Sequence, residues 1–346
     1  MMKQTLFAAV SGLALLSSAA GALAEDVVLR FSNWLPPTHP IITQMIEPWA
    51  AEVEAATEGR VSLQILPALG APGAHFDMVR NGVADIAFGV HGYTPERFKL
   101  TEMVELPFTS ENAQVNSIAN WRTYQQFFMD ANEHEGTHLL GLWVPGSYQL
   151  FTRAGVETVE DLDGLRIRVP GSTVERIATE LGMVSISSPL TEAYDQISRG
   201  IIDGMFQTYS TVRDFNMAEH MPVVMAVPGG FAASSQFLVI SDAAWDRISP
   251  EDQAAIDALS GETMVRQFAE VWQAQNAAAV GELVEGGLTQ IELSGTDLEM
   301  MQERLAPIWD QWIADANERG VDAEAAIAFY QEQLDAVAEE LGVERN

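Results

Sequence analysis

The chain has 346 residues, with 49 Asp and Glu against 18 Lys and Arg, a formal net charge of −31, and no cysteine. Such an acidic surface repels phosphate backbones and excludes nucleic acid as a partner, while the lack of thiols excludes disulfides and a lipidated cysteine anchor. Hydrophobic residues make up 47% of the chain, enough to bury the cores of two domains, and the carboxylates are spread along it as a solvated acidic surface.

Met1-Met2-Lys3, an apolar run from Leu6 to Leu16 and small residues ending in Ala22-Leu23-Ala24 read as a secretory signal over residues 1–24. The run is too short to span a membrane, so the mature protein is expected in the periplasm. Asp26–Ser32 reads as a strand ending at Asn33-Trp34, where Pro36, Pro37 and Pro40 forbid regular pairing. A helix is expected over Ile41–Thr57, a strand over Val61–Leu66, a short helix over Phe76–Asn81 and a strand over Ala84–Gly89. This alternation implies a parallel sheet with right-handed crossovers, whose binding site lies beyond the carboxyl ends of the strands. Those ends are Asn33-Trp34, Pro67-Ala68 and Gly89-Val90-His91.

A long helix is expected over Asn112–Glu135, a strand over Leu139–Val144 and a crossing strand within Gly146–Thr152. Leu165–Val169, Met183–Ser187 and Gly204–Gln207 then read as strands of a second sheet, separated by helices Thr173–Leu181 and Glu192–Arg199. Helix Val212–Glu219 and strand Met221–Pro228 follow, and Gln236–Ile240 is expected to cross back to the first sheet. Ser249-Pro250-Glu251-Asp252 is a helix start, with a serine cap, a first-turn proline and acids in the opening turn. That helix is expected to run unbroken to about Glu285, roughly 35 residues and ~50 Å, spanning both domains.

The most informative stretch is Asp161–Gln207. Asp163-Gly164 turns into Leu-Arg-Ile-Arg-Val, residues 165–169, a buried strand carrying two arginines. For either arginine the ordinary role is a salt bridge at the strand's solvent side. Arg168, beside Pro170-Gly171-Ser172, has a sharper one: a guanidinium aimed into a cleft, holding a carboxylate through two parallel hydrogen bonds.

These residues resemble the solute-binding proteins of TRAP (tripartite ATP-independent periplasmic) transporters, of the dicarboxylate-binding type. Arg168 falls on the family's substrate-pairing arginine, in its lysine-isoleucine-arginine-valine strand. Gln196-Ile197-Ser198-Arg199-Gly200-Ile201-Ile202-Asp203-Gly204 matches a later family segment, and the motifs keep the family's order over nearly all of the mature chain. The resemblance implies an α/β, two-lobed periplasmic binding protein type II fold, each lobe a mainly parallel sheet flanked by helices, with a long helix spanning both. Residues 25–147 with 236–275 would form lobe I, 148–235 with 276–300 lobe II, and 301–346 helices packing back on them. It further implies a monomeric receptor that captures a small organic anion and hands it to integral TRAP membrane subunits, without nucleotide or other cofactor.

Gln207 occupies the family's asparagine position and can donate to a ligand. Tyr148 stands where several members carry a second arginine, a departure that suits a monocarboxylate over a dicarboxylate. Trp34, Phe88, Tyr93, Phe206, Tyr209 and Phe231 gather near strand ends. Of these, Trp34, Phe88 and Tyr209 are candidate pocket walls, whereas Phe206 and Phe231 read as core. Gln236, opening the returning strand, is a further candidate contact. His39 and His91 could donate to an anion, but neither has metal-pair spacing.

No Gly-x-Ser-x-Gly or Gly-x-x-x-x-Gly-Lys motif is present, which argues against a serine hydrolase or a nucleotide-hydrolysing enzyme. Monocarboxylate, 2-oxo acid and aromatic acid stay open as ligands. An ABC-type binding protein, a secreted carbohydrate-active hydrolase working through paired carboxylates and a signalling receptor are the alternative functions.

Overall fold

In the computed structural model the described residues are 26–94, 97–153 and 155–345, so the expected secretory segment lies outside them. Among them the strands are, in chain order, Val27–Asn33 (β1), Val61–Pro67 (β2), Ile86–Val90 (β3), Thr137–Trp143 (β4), Gln149–Thr152 (β5), Arg166–Val169 (β6), Val184–Ser187 (β7), Gly204–Gln207 (β8), Val223–Ala226 (β9), Gln236–Ser241 (β10) and Thr289–Glu292 (β11). They form two sheets, ordered β2-β1-β3-β10-β4 and β11-β9-β5-β8-β6-β7.

Each sheet is mainly parallel and contains one strand running against the rest. In the first, β10 is antiparallel to β3 and β4; in the second, β5 is antiparallel to β8 and β9. These two strands arrive directly from a strand of the other sheet, with no helix between. A chain crossing between the sheets enters at the end facing the gap, so it must run opposite to strands that finish there. Both crossings therefore border the space between the sheets.

A matched pair of ion clamps holds the two sheets at corresponding points. Asp85, just ahead of β3, accepts from Arg30 N (2.8 Å), Nε (2.8 Å) and Nη2 (3.2 Å) of β1. Asp203, just ahead of β8, accepts from Arg166 N (3.0 Å), Nε (2.9 Å) and Nη2 (2.6 Å) of β6. Both aspartates follow a helix-ending glycine in the left-handed region, Gly82 (φ 71°) and Gly200 (φ 69°). The segments Asn81–Asp85 and Arg199–Asp203 are thus one local device used twice, and both aspartates are structural, as their turn context suggests.

Several helices differ from expectation. The helix expected over Asn112–Glu135 is regular only over Ala113–Thr123, capped by Asn112 Oδ1 on Gln114 N (3.0 Å) and Val115 N (3.2 Å). It then widens over Tyr124–Phe128 and ends at Asn132, whose φ of 53° halts it. The segment expected as one long helix is two, Pro250–Leu259 and Gly261–Glu285. Ser260 is extended and Gly261 has a φ of 57°, a break that the turn-marking Ser-Gly pair carries and that apolar periodicity alone passes over. The 25-residue second helix still bridges the molecule, packing on helix Ala113–Thr123 beside the first sheet and on helix Tyr209–Asp214 beside the second. Within it, Asn276 donates to Pro145 O (2.6 Å) in one crossing and accepts from Ser210 Oγ (2.6 Å).

Helices Gly295–Glu318 and Ala323–Leu341 pack back on this body. Trp312 Nε1 donates to Lys99 O (3.0 Å) and the Tyr330 hydroxyl to Asn116 Oδ1. No helix among the described residues is long and apolar enough to cross a membrane.

Gly204 shows why the aspartate-glycine pair is needed: a Cβ there would lie 2.3 Å from Phe151 O in the paired strand β5. Gly204→Ala is expected to destabilise the fold by roughly 2 kcal/mol or more, read as a lowered midpoint in thermal denaturation; an unchanged midpoint would refute the tight-pairing argument.

Candidate ligand-binding site

At the carboxyl end of β1, the Asn33 side chain closes a small turn, accepting from Leu35 N (2.8 Å) and donating to Leu35 O (2.9 Å). The turn places Trp34 against β3, where its indole donates to Phe88 O (3.1 Å). Trp34 stacks on Phe88 at 5.2 Å and 13°, and Phe88 on Trp143 at 5.9 Å and 19°. Tyr93 leans on Trp34 at 6.0 Å. One wall of the space between the sheets is therefore aromatic.

The facing wall carries Arg168 on β6. Its residue is only 1% exposed, yet among the described residues no carboxylate lies within ion-pair distance of it. Neutral groups position it: Nε donates to Ser188 O (2.8 Å) and Nη2 to the Tyr93 hydroxyl (3.3 Å). The same hydroxyl accepts from Leu190 N (2.9 Å), so Tyr93 ties the first sheet to the second. Beside it the two halves meet backbone to backbone, since a Cβ on Gly171 would sit 2.8 Å from Gly92 Cα. By contrast Arg166, two residues from Arg168, is half-exposed and neutralised by Asp203.

A small cavity of about 30 Å³ lies between the walls. Of the residues singled out from sequence, Trp34, Phe88, Tyr148, Arg168, Gln207 and Gln236 line it together. They come from six different strands or crossings, as expected for a switch point between sheets. Burial pushes the Tyr148 phenol pKa up, with the Arg168 charge opposing, so the phenol stays protonated and can donate.

Two candidates lie elsewhere. His91 is buried beneath the first sheet, its Nε2 2.9 Å from His134 Nε2, while His134 Nδ1 meets the Tyr124 hydroxyl at 3.1 Å. Burial and the facing His134 ring hold His91 well below the usual imidazole range. Its side chain turns into an aromatic core with Phe98 and Phe237, not towards the cavity. Tyr209 lines a separate surface groove with Gln149 and Asn276, and its hydroxyl accepts from Gln290 Nε2 (2.9 Å). Strand-end position alone did not say which way either side chain turns.

Trp272 and His39 also line the cavity. Trp272 sits more than a hundred residues from β6 on the bridging helix, and its sequence context carries no signal of a site. Burial lowers the His39 pKa to about 4, against the pull of Asp214. Its Nδ1 accepts from Ile41 N (3.2 Å), which leaves the proton on Nε2. His39 is therefore neutral near pH 7, and Arg168 is the one Lys or Arg among the described lining residues.

Comparison with known proteins decides the family. Residues 31–315 match the model of bacterial extracellular solute-binding protein, family 7. The chain belongs to that family. It is 27% identical over 317 residues to the outer membrane transporter protein TsaT of Comamonas testosteroni, covering 90% of this chain and 93% of that protein. A TRAP periplasmic solute-binding protein of Bordetella bronchiseptica, solved with bound (R)- and (S)-mandelate, is 33% identical, covers 90% of this chain and 99% of its own, and superposes with a TM-score of 0.87. A TRAP solute-binding protein of Rhodoferax ferrireducens with copurified benzoate is 25% identical, with 91% and 99% coverage and a TM-score of 0.84. A marine metagenome homologue specific for aromatic acids, complexed with metahydroxyphenylacetate, is 26% identical, with 90% and 99% coverage and a TM-score of 0.83. The two-lobed α/β fold of TRAP solute-binding proteins is thus this chain's fold, and it is a solute-binding transport protein, not an enzyme.

Near Tyr148, Glu105 is buried and accepts weakly from Ser235 N (3.4 Å). Burial first, then the neighbouring Glu102 charge, raises its pKa from 4.5 to about 8. The folded state holds this proton more tightly than the unfolded chain, so its contribution to stability falls as pH rises from about 4.5 to 8. Glu105→Gln is expected to shrink the drop in thermal midpoint between pH 5 and pH 8; a drop of wild-type size would show that Glu105 is already ionised.

Proposed function

We propose that this chain is the extracytoplasmic receptor for an aromatic monocarboxylate, delivered to integral TRAP membrane subunits. The observation that carries the reading is Arg168, a buried guanidinium without a carboxylate partner among the described residues, set against a wall of aromatic rings. Burying an unpaired charge costs several kcal/mol, which an entering carboxylate offsets. With Arg168 the one Lys or Arg among the described residues lining the site, a single carboxylate is matched, and Trp34, Phe88 and Trp272 favour a flat apolar body. The bound acids of the Bordetella, Rhodoferax and marine homologues support the same class.

In this reading Gln207, Gln236 and Tyr148 are ligand contacts, and Tyr93 joins them as the residue that closes one lobe on the other. Residues 25–147 with 236–275 and 148–235 with 276–300 act as the two lobes, hinged at the crossings before β5 and β10 and along helix Gly261–Glu285. Residues 1–24 direct export to the periplasm. Closing over the ligand excludes water and strengthens the Arg168 contact through a lower local dielectric.

Arg168→Ala is expected to weaken binding of benzoate or mandelate by roughly 2–5 kcal/mol, measured by titration calorimetry. The ligand-free variant should melt no lower than wild type, because a buried unpaired charge is removed. Near-normal affinity would refute the anchoring role. Tyr148→Arg places a second cation in the cavity wall and is expected to shift preference from aromatic monocarboxylates towards dicarboxylates in a thermal-shift panel. An unchanged ranking would remove the argument from charge count.

A further inference from the structure

A carboxylate is enclosed between the two lobes without lining the cavity. Glu102, 5% exposed, lies in the short helical turn Thr101–Glu105 that follows β3 in the chain. That turn is held to the first lobe, since Leu100 N donates to Glu133 Oε1 (3.0 Å) and Ser235 N, just ahead of β10, to Glu105 Oε1. Among the described residues four side chains donate to Glu102, and three of them belong to helix Ser172–Glu180 of the second lobe. Ser172 Oγ and Lys99 Nζ (3.3 Å) meet Oε1, while Thr173 Oγ1 (3.1 Å) and Arg176 Nη2 (3.0 Å) meet Oε2. Arg176 Nη1 also reaches Asp315 (3.4 Å) on helix Gly295–Glu318, so its charge is shared. A carboxylate is costly to bury without donors, and here the opposite lobe supplies most of them.

The helix begins four residues after Arg168, with only Val169-Pro170-Gly171 between them. Where its first turn seats on Glu102 therefore sets where β6 presents the Arg168 guanidinium to the first lobe. The geometry points to Glu102 as a positioning residue for ligand capture: a latch between the lobes that holds the closed form and never touches the ligand. Parting the lobes returns the carboxylate, the two hydroxyls and the Arg176 guanidinium to water, so the contact is reversible. A ligand on Arg168 and the latch both favour closure, and each strengthens the other. Because the latch acts through closure alone, it changes affinity by one factor for every ligand the closed lobes hold. This rests on the closing motion proposed above and not on which acid is captured.

Glu102→Gln keeps the side chain's size and removes its charge, and Thr173→Val removes one hydroxyl from the facing lobe. Both are tested in the full mature chain at a temperature where every variant is folded. Glu102→Gln is expected to weaken benzoate and mandelate alike by roughly 10-fold, and Thr173→Val by less, with faster dissociation in stopped-flow measurements. The ratio of the two affinities should stay at its wild-type value. The double variant should lose less than the product of the single losses, because the two groups share one contact. The chain has no cysteine, so spin labels on Ala71→Cys and Glu192→Cys, exposed residues lining the groove outside Tyr93 from opposite lobes, read closure directly. At a benzoate concentration that closes the wild-type chain, Glu102→Gln should keep a larger open fraction. Unchanged affinity, a changed benzoate-to-mandelate ratio or closure as full as in wild type would overturn the inference. If neither acid binds the wild type, the aromatic-acid reading falls by itself. The latch is then judged on the ligand-free label distances, which Glu102→Gln must lengthen and whose unchanged distribution would overturn it.

Discussion

Arg168 is a positive charge kept from the counter-ions around it. The chain carries 49 carboxylates, yet those described leave the Arg168 guanidinium without an ionic partner, while Arg166 on the same strand is clamped by Asp203 through three hydrogen bonds. The contrast is physical. Arg166 sits at the strand's open end, where a pair contributes little beyond holding strand β6 in register. Arg168 sits where desolvation makes any charge–charge contact strong, and it is oriented by a carbonyl and a phenol that leave its charge uncancelled. Such an arrangement is costly for an isolated chain and favourable once an anion arrives.

The fold is arranged to make that cost reversible. Each sheet borrows one antiparallel strand from the other side of the molecule, so the two halves are joined by chain at the border of the cavity and by helix Gly261–Glu285 along one flank. Contacts that close the cavity are of another kind. Gly92 meets Gly171 without side chains between them, and Tyr93 reaches across to Arg168 and Leu190 through one hydroxyl. Backbone contact and a pair of hydrogen bonds are easily parted and easily remade, whereas the crossings are covalent. That combination is the requirement for a hinged receptor.

The misread residues share one cause. His91 and Tyr209 stand at or just beyond strand ends, as the true lining residues do, but one turns under the sheet towards His134 and the other outwards towards Gln290. At a strand's last residue the alternation that assigns faces breaks down, and the next φ/ψ pair decides the direction. The helix break at Ser260-Gly261 and the early stop near Tyr124 have a related origin. Both lie where apolar periodicity continues across a change in backbone conformation, and periodicity cannot report that change.

From the sequence alone came the two-sheet alternation, the crossing strands, and Arg168 as the group most worth watching. Each of these is encoded locally, in strand patterning, turn residues and the cost of an arginine inside an apolar run. Only the tertiary structure decided which distant side chains share one space with Arg168. It brought Trp272 and His39 to the cavity and made Tyr93 a bridge. Those facts depend on how widely separated segments converge, which is not written within any one stretch of chain.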